Sequence, residues 1–230
     1  SLPRDTSILD FEDTLKKNWP AAWAKSQGFF AGFHDKTKGR FLHKMPAEGS
    51  KDRGRAWPSP RTWTFAARAA ATCLALRPVL PDADDLMLDF INACVGAGAS
   101  GEFTTWLREA NLPNPEDVLE KGWSPDRLRI DRNYAVYTAM TAFVLGTKEE
   151  TKRLKYAAQA FDVFDVASDA GLKDLIAPTV AQLVNHGLSV SMIHSTDPAK
   201  KRVGESAARI LTKLGKTKIG PMIREFKETP

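Results

Sequence analysis

Apolar residues recur at three- and four-residue steps through most of this chain, and that period restricts the fold more than any other feature. Leu15, Trp19, Ala22, Trp23, Phe29, Phe30 and Phe33 follow it, which gathers them on one side of a helix with 3.6 residues per turn. No stretch alternates with period two, and no strand–turn–strand signal interrupts the pattern. The chain therefore reads as all-α, a multi-helix bundle with no sheet. Self-similarity at the roughly 34- or 40-residue periods of helical solenoids is missing, so a repeat array is not supported.

Proline, glycine and capping residues set the expected helix ends. Pro20, after a break at Trp19, divides the first periodic stretch into helices near 8–18 and 20–34. From Asp35 to Pro60 the period vanishes and cations take over: Lys36, Lys38, Arg40, Lys44, Lys51, Arg53 and Arg55, punctuated by Gly39, Gly49 and Gly54. This is a long basic loop, of a length that in compact domains is functional or mobile. Helix returns with Ser59 as N-cap and Pro60 as first-turn residue, and runs to Leu76. Pro78 and Pro81 close it, and Asp82 caps the next, from Ala83 to about Val95. Gly96-Ala97-Gly98 breaks that helix. Further helices are expected over 102–110, from Pro115 to Gly122, and near 131–145, 148–168, 171–186 and 197–214.

Of the 230 residues, 43% are apolar and 27% charged, an ordinary soluble balance with chain enough for one large domain or two small ones. No run approaches the roughly 18 apolar residues of a membrane-spanning helix. The start, Ser1 to Asp5, has no apolar signal-peptide core and no initiating Met, which is compatible with a segment cut from something longer. Cys73 and Cys94 sit in apolar helical stretches and read as free buried thiols of a reducing cytoplasm. Neither has polar neighbours that would make it a catalytic thiolate. The net charge of +5 is uneven: +5 over residues 1–61, −5 over 62–170 and +5 over 171–230. Such a pattern suits phosphate ligands or nucleic acid at the ends, head-to-tail contact between subunits, or plain solvated charge.

Several chemistries have no foothold. There is no G-x-x-x-x-G-K-[ST] phosphate loop and no dinucleotide-type glycine motif. His34, His43, His186 and His194 form no zinc-binding spacing. Asp82 with Asp85, and Asp162 with Asp165, could share helix faces, but solvated charge or capping explains them better than a catalytic pair. One segment does stand out: Trp57-Pro58-Ser59-Pro60-Arg61-Thr62-Trp63. It puts Arg61 in the first turn of a helix, where the backbone is already partly positive and a cation is unfavourable. Either an anion such as a phosphate neutralises both, or Arg61 simply reaches solvent or a nearby carboxylate.

That heptapeptide resembles the sensor-2 segment of MoxR-type AAA+ ATPases, in which a similar Ser-Pro-Arg stretch opens a lid helix. Asn18-Trp19-Pro20-Ala21-Ala22-Trp23 with Phe29-Phe30 resembles the last helices of that family's nucleotide-binding core. The stretch from Gly98 to Leu107, the run Asn111-Leu112-Pro113-Asn114-Pro115-Glu116 and the run Asp131-Arg132-Asn133-Tyr134-Ala135-Val136 are similar to segments following the lid helix. The likeness covers about residues 10–150. It implies a chain resembling the C-terminal part of such an ATPase: a helical segment and basic loop over 1–56, a lid-like domain over 57–150 and a helical extension over 151–230. It further implies that Arg61 contacts the nucleotide, that Ser59 belongs to the same nucleotide-binding segment, and that ATP and Mg are cofactors of the full-length parent. The Walker A lysine, Walker B acid and arginine finger lie upstream in that family and are not in this sequence. The segment alone is therefore expected to bind no cofactor and to be inactive. Its partners would be the upstream core, neighbouring ATPase subunits and a protein client, with no membrane.

Two other functions compete. A helical adaptor would bind a partner protein through its acidic and basic faces. A nucleic-acid binder would use the 36–55 loop and Lys200-Lys201-Arg202, but few aromatics lie among these cations to stack on bases.

Overall fold

The computed structural model describes residues 8–188, 190–217, 219–221 and 223. The helices are α1 (Ile8–Lys36), α2 (Pro60–Leu76), α3 (Ala83–Val95), α4 (Ala97–Ala110), α5 (Pro115–Lys121), α6 (Ile130–Gly146), α7 (Glu150–Asp169), α8 (Lys173–Gln182) and α9 (Pro198–Leu214). A widened turn, Leu183–Gly187, extends α8, and tight 3-10 turns occur at Lys51–Gly54 and Val190–His194. Among the described residues there is no β-strand, so the chain is all-α. No described helix is long and apolar enough to cross a membrane.

The expected break at Trp19 does not occur: α1 continues through Pro20. Proline inside a helix removes one backbone donor and costs about 3 kcal/mol. Here the carbonyl deprived of its donor belongs to exposed Lys16, where water can serve it. Contacts on both sides of the proline hold the helix together. Asn18 donates to the Ala75 carbonyl of α2 at 2.9 Å, and Trp19 and Trp23 stack at 5.9 Å.

Two further expectations change. Asp82 stands at the N-cap of α3, which has the expected bounds, and its carbonyl accepts from Leu86 N–H at 3.0 Å, but its side chain makes no capping hydrogen bond. The Gly96-Ala97-Gly98 break shrinks to a single residue, because α4 already begins at Ala97. Gly96 makes that turn with φ +81°, packed so closely on the Ala56 carbonyl that a side chain would collide with it. The basic loop is also tied down. Lys44 N–H donates to the Pro58 carbonyl at 2.9 Å, the Trp63 indole donates to the Phe41 carbonyl at 2.7 Å, and Phe41 is buried.

The apolar interior falls into two clusters. One lies among α1 to α4 and includes Phe30, Phe33, Trp63, Phe103 and Trp106; the other lies among α5 to α9 and includes Tyr137, Phe161, Phe164, Ile176 and Leu183. They meet along α1 and α6, where small residues allow unusually close approach. A Cβ on Gly28 would stand 2.5 Å from the Ala135 carbonyl oxygen and 2.7 Å from the Ala139 Cβ. One on Gly32 would stand 2.6 Å from the Ala135 Cβ and 2.7 Å from the Trp106 ring. Hydrogen cannot be replaced by methyl here without moving a backbone.

The seam reverses the sign of an otherwise favourable change. Gly→Ala in an exposed helix interior gains about 0.5–1 kcal/mol. Gly101, exposed on α4 with open space around it, should show that gain on conversion to Ala. Gly28→Ala should instead lose about 1–3 kcal/mol through overpacking. Urea unfolding of the two variants compares them directly; matching gains would contradict the close contact.

Candidate functional site

The start of α2 is built by Ser59. Its backbone is extended (φ −147°, ψ 162°), its hydroxyl accepts from Thr62 N–H at 3.2 Å, and its own N–H donates to the Thr62 hydroxyl at 2.8 Å. This reciprocal capping box takes up donors that helix ends otherwise leave open. Trp63 N–H also goes to Ser59, through the carbonyl at 2.9 Å, and Pro60 has no N–H to offer. The helix end is therefore largely satisfied from within. The expected convergence of a helix N-terminus and an arginine reduces to the arginine itself.

Arg61 is exposed, with its guanidinium 5.6 Å from the centre of the Phe65 ring. The first turn of α2 has no acidic residue, and no described carboxylate forms an ion pair with Arg61. Phe65 is itself 45% exposed, so cation and ring together form an open surface. Ser59, half-buried beneath them, fixes the backbone from which Arg61 projects.

An aromatic group beneath α2 makes this end rigid. Trp63 is 4% exposed and packs on Phe30 at 5.6 Å and on Phe33 at 5.6 Å, with Phe103 at 6.0 Å and Trp106 beyond. His34 meets the Trp63 ring edge-on at 4.9 Å, and burial lowers its pKa, which keeps the ring neutral at pH 7. Beside Trp57 and Pro58 lies a cleft of about 730 Å³ between the basic loop and the α3–α4 junction, with Arg40, Lys44 and Arg55 on its walls. Arg61 does not line it. Arg40 lies over the Phe41 ring at 4.7 Å, and Arg55 is 3.6 Å from Asp52.

The Asp131-Arg132-Asn133 run fastens the bundle behind this site. Asp131 accepts from the buried Trp106 indole at 2.8 Å and from Arg129 at 3.3 Å. Arg132 donates to the Asn111 carbonyl at 3.1 Å and lies 5.0 Å from the Trp123 ring. Asn133, fully buried, donates to the Asp126 carbonyl at 2.7 Å and accepts from Trp123 and from Asp126 N–H. Three successive residues thus hold α4, the α4–α5 joint and the α5–α6 connection. A lone polar triplet at a helix start gives no sequence signal of such long-range partners.

Cys73 is buried and Cys94 half-buried, and both are free thiols whose pKa is raised by burial. Among the described residues, no group of three or more His, Cys, Asp and Glu side chains is arranged to hold a metal ion. No family model matches this chain, and neither a curated protein nor a solved structure matches it.

Burial raises the Asp131 pKa, but the hydrogen bonds from Arg129 and Trp106 and the attraction of Arg129 outweigh it and leave the carboxyl below its ordinary value. A pKa lowered in the folded state adds stability above the unfolded value of about 3.9, and that stability is lost as pH falls through the folded value. Asp131→Asn should therefore cost about 1–3 kcal/mol at pH 7, and the gap to the parent sequence should narrow below about pH 4. Urea unfolding at pH 7 and pH 3 measures both; an equal deficit at the two pH values would show that charge is not what Asp131 contributes.

Proposed function

We propose that this chain is the lid and C-terminal helical region of a MoxR-like AAA+ ATPase, with Arg61 as its sensor-2 arginine. One observation carries the reading. Arg61 is an exposed guanidinium without a carboxylate contact among the described residues, held on the first turn of a helix whose start Ser59 and Thr62 fix. A cation there is disfavoured by a few tenths of a kcal/mol. An anion brought by another part of the machine reverses that balance, and the terminal phosphate of ATP has the required charge and geometry.

In this reading Ser59 sets the helix start and Arg61 lays a planar charged fork against phosphate oxygens. Arg61 thereby stabilises the charge that builds there during hydrolysis. Released when hydrolysis is complete, Arg61 lets the lid rotate, and the movement is passed to a client protein. ATP and Mg are held by an upstream core and by neighbouring subunits. Without a phosphate loop this segment hydrolyses nothing alone. The two free thiols suit a reducing cytoplasm.

Arg61→Ala in the intact parent should lower ATP hydrolysis about tenfold or more. The exposed position should leave stability within about 0.5 kcal/mol of the original. Arg61→Lys should recover only part of the rate, because an ammonium cannot reproduce the fork. Unchanged hydrolysis in Arg61→Ala overturns the assignment. The reading frame upstream of Ser1 gives an independent check: it should encode a Walker A strand, loop and helix. A stop codon there favours the competing reading, a helical adaptor without nucleotide chemistry.

A further inference from the structure

At the other end of α2, about 24 Å from Arg61 by helix rise, the surface has a different character. A groove of about 1370 Å³ runs between the first half of α1, the end of α2, the start of α5 and the α6–α7 turn. Leu15, Trp19, Ala22, Leu74 and Phe143 contribute its apolar lining. Lys16, Lys17, Lys25, Arg77, Lys148 and Lys152 surround this lining, which itself holds two carboxylates, Glu116 and Glu149. Lys16 and Arg77 are paired with Glu12 and Asp84 at its edge, which leaves Lys17, Lys25 and Lys148 for an occupant. Glu116 is already engaged, accepting from the Tyr156 hydroxyl at 2.5 Å.

Lys25 indicates what is lacking. Its ammonium is half-buried, has no ion pair with a described carboxylate, and lies 5.9 Å from the Phe29 ring. Burial, and next the neighbouring Arg77, lower its pKa, and the attraction of Asp84 and Asp117 offsets this only in part. Lys17 and Lys148 are exposed and make no ion pair among the described residues. A groove with this excess of cations favours a negative occupant, because charge of opposite sign relieves the repulsion among them. The apolar lining adds a second requirement that a bare polyanion does not meet.

We propose that this groove docks an acidic amphipathic helix of a partner protein, with apolar side chains on Trp19, Leu74 and Phe143 and carboxylates toward Lys17, Lys25 and Lys148. Helical rather than extended binding follows from the fold. No strand edge among the described residues offers backbone hydrogen bonds to an incoming strand, whereas a helix satisfies its own backbone and presents apolar residues at i, i+3, i+4 and i+7. The site is independent of the nucleotide reading, since Arg61 lies at the opposite end of α2.

The test uses the full 230-residue chain and a fluorescein-labelled 18-residue helical peptide with Leu and Phe on one face and Glu on the other. Fluorescence anisotropy should show saturable binding. Serine in place of the Leu and Phe residues should weaken it about tenfold or more at the same charge. The double variant Lys17→Glu/Lys148→Glu, exposed at both sites, should also weaken it about tenfold or more. Arg61→Ala should leave it unchanged. Four results overturn the proposal. They are absence of saturable binding, equal or tighter binding of the serine peptide or of a dT18 oligonucleotide, indifference to the double charge reversal, and self-association of the chain that the reversal abolishes. The last would identify a second copy as the occupant.

Discussion

The contact between α1 and α6 is the interaction on which the rest of the structure depends. Gly28 and Gly32, one helical turn apart, let α1 lie against Ala135 and Ala139 of α6 with no side chain of their own between the helices. Close approach of this kind gains dispersion contacts along the whole seam and tolerates no added volume. Because α1 also packs on α2, while α6 packs on α7 and α8, the seam joins the cluster around Phe33 to the second cluster around Phe161 and Ile176. Trp106 adds a second tie, with its ring against Gly32 and its indole N–H on Asp131 of α6.

The position of Arg61 follows from that arrangement. Phe30 and Phe33, set by α1, carry Trp63, and Trp63 lies one turn from the capped start of α2. The guanidinium therefore projects from a backbone with little freedom, which would lower the entropic cost of engaging the phosphate proposed for it. The lysine-rimmed groove belongs to the same frame, since α1 and α2 contribute walls to it at their other ends. One rigid pair of helices thus presents a lone cation at one end and a basic, apolar-floored groove at the other.

Much of this was legible in the residues. Ser59-Pro60 marked the start of α2 because capping chemistry is local, and the period of Leu15 to Phe33 marked α1 because its buried face spans many turns. What the residues concealed depends on distant partners. Pro20 read as a boundary, yet contacts such as Asn18 to Ala75 carry the helix through it. Gly28 and Gly32 carry no local mark of the seam, since the backbone they must admit lies more than a hundred residues away. Asp82 read as a cap, yet its side chain makes no capping bond. For the proposed site, sequence singles out Arg61 by its place in the first turn of a helix. The completeness of the capping box, which leaves the guanidinium rather than the helix end as the available feature, required the three-dimensional arrangement of Ser59 and Thr62.

The claim that Arg61 faces the terminal phosphate of a nucleotide has a direct physical test. The intact parent would be irradiated with an ATP analogue carrying an arylazide on its γ-phosphate, and the labelled residues mapped by mass spectrometry. The account predicts label within Trp57 to Phe65, at the capped start of α2, removed by excess ATP. Label confined to other parts of the molecule, with that segment unmodified, would contradict it.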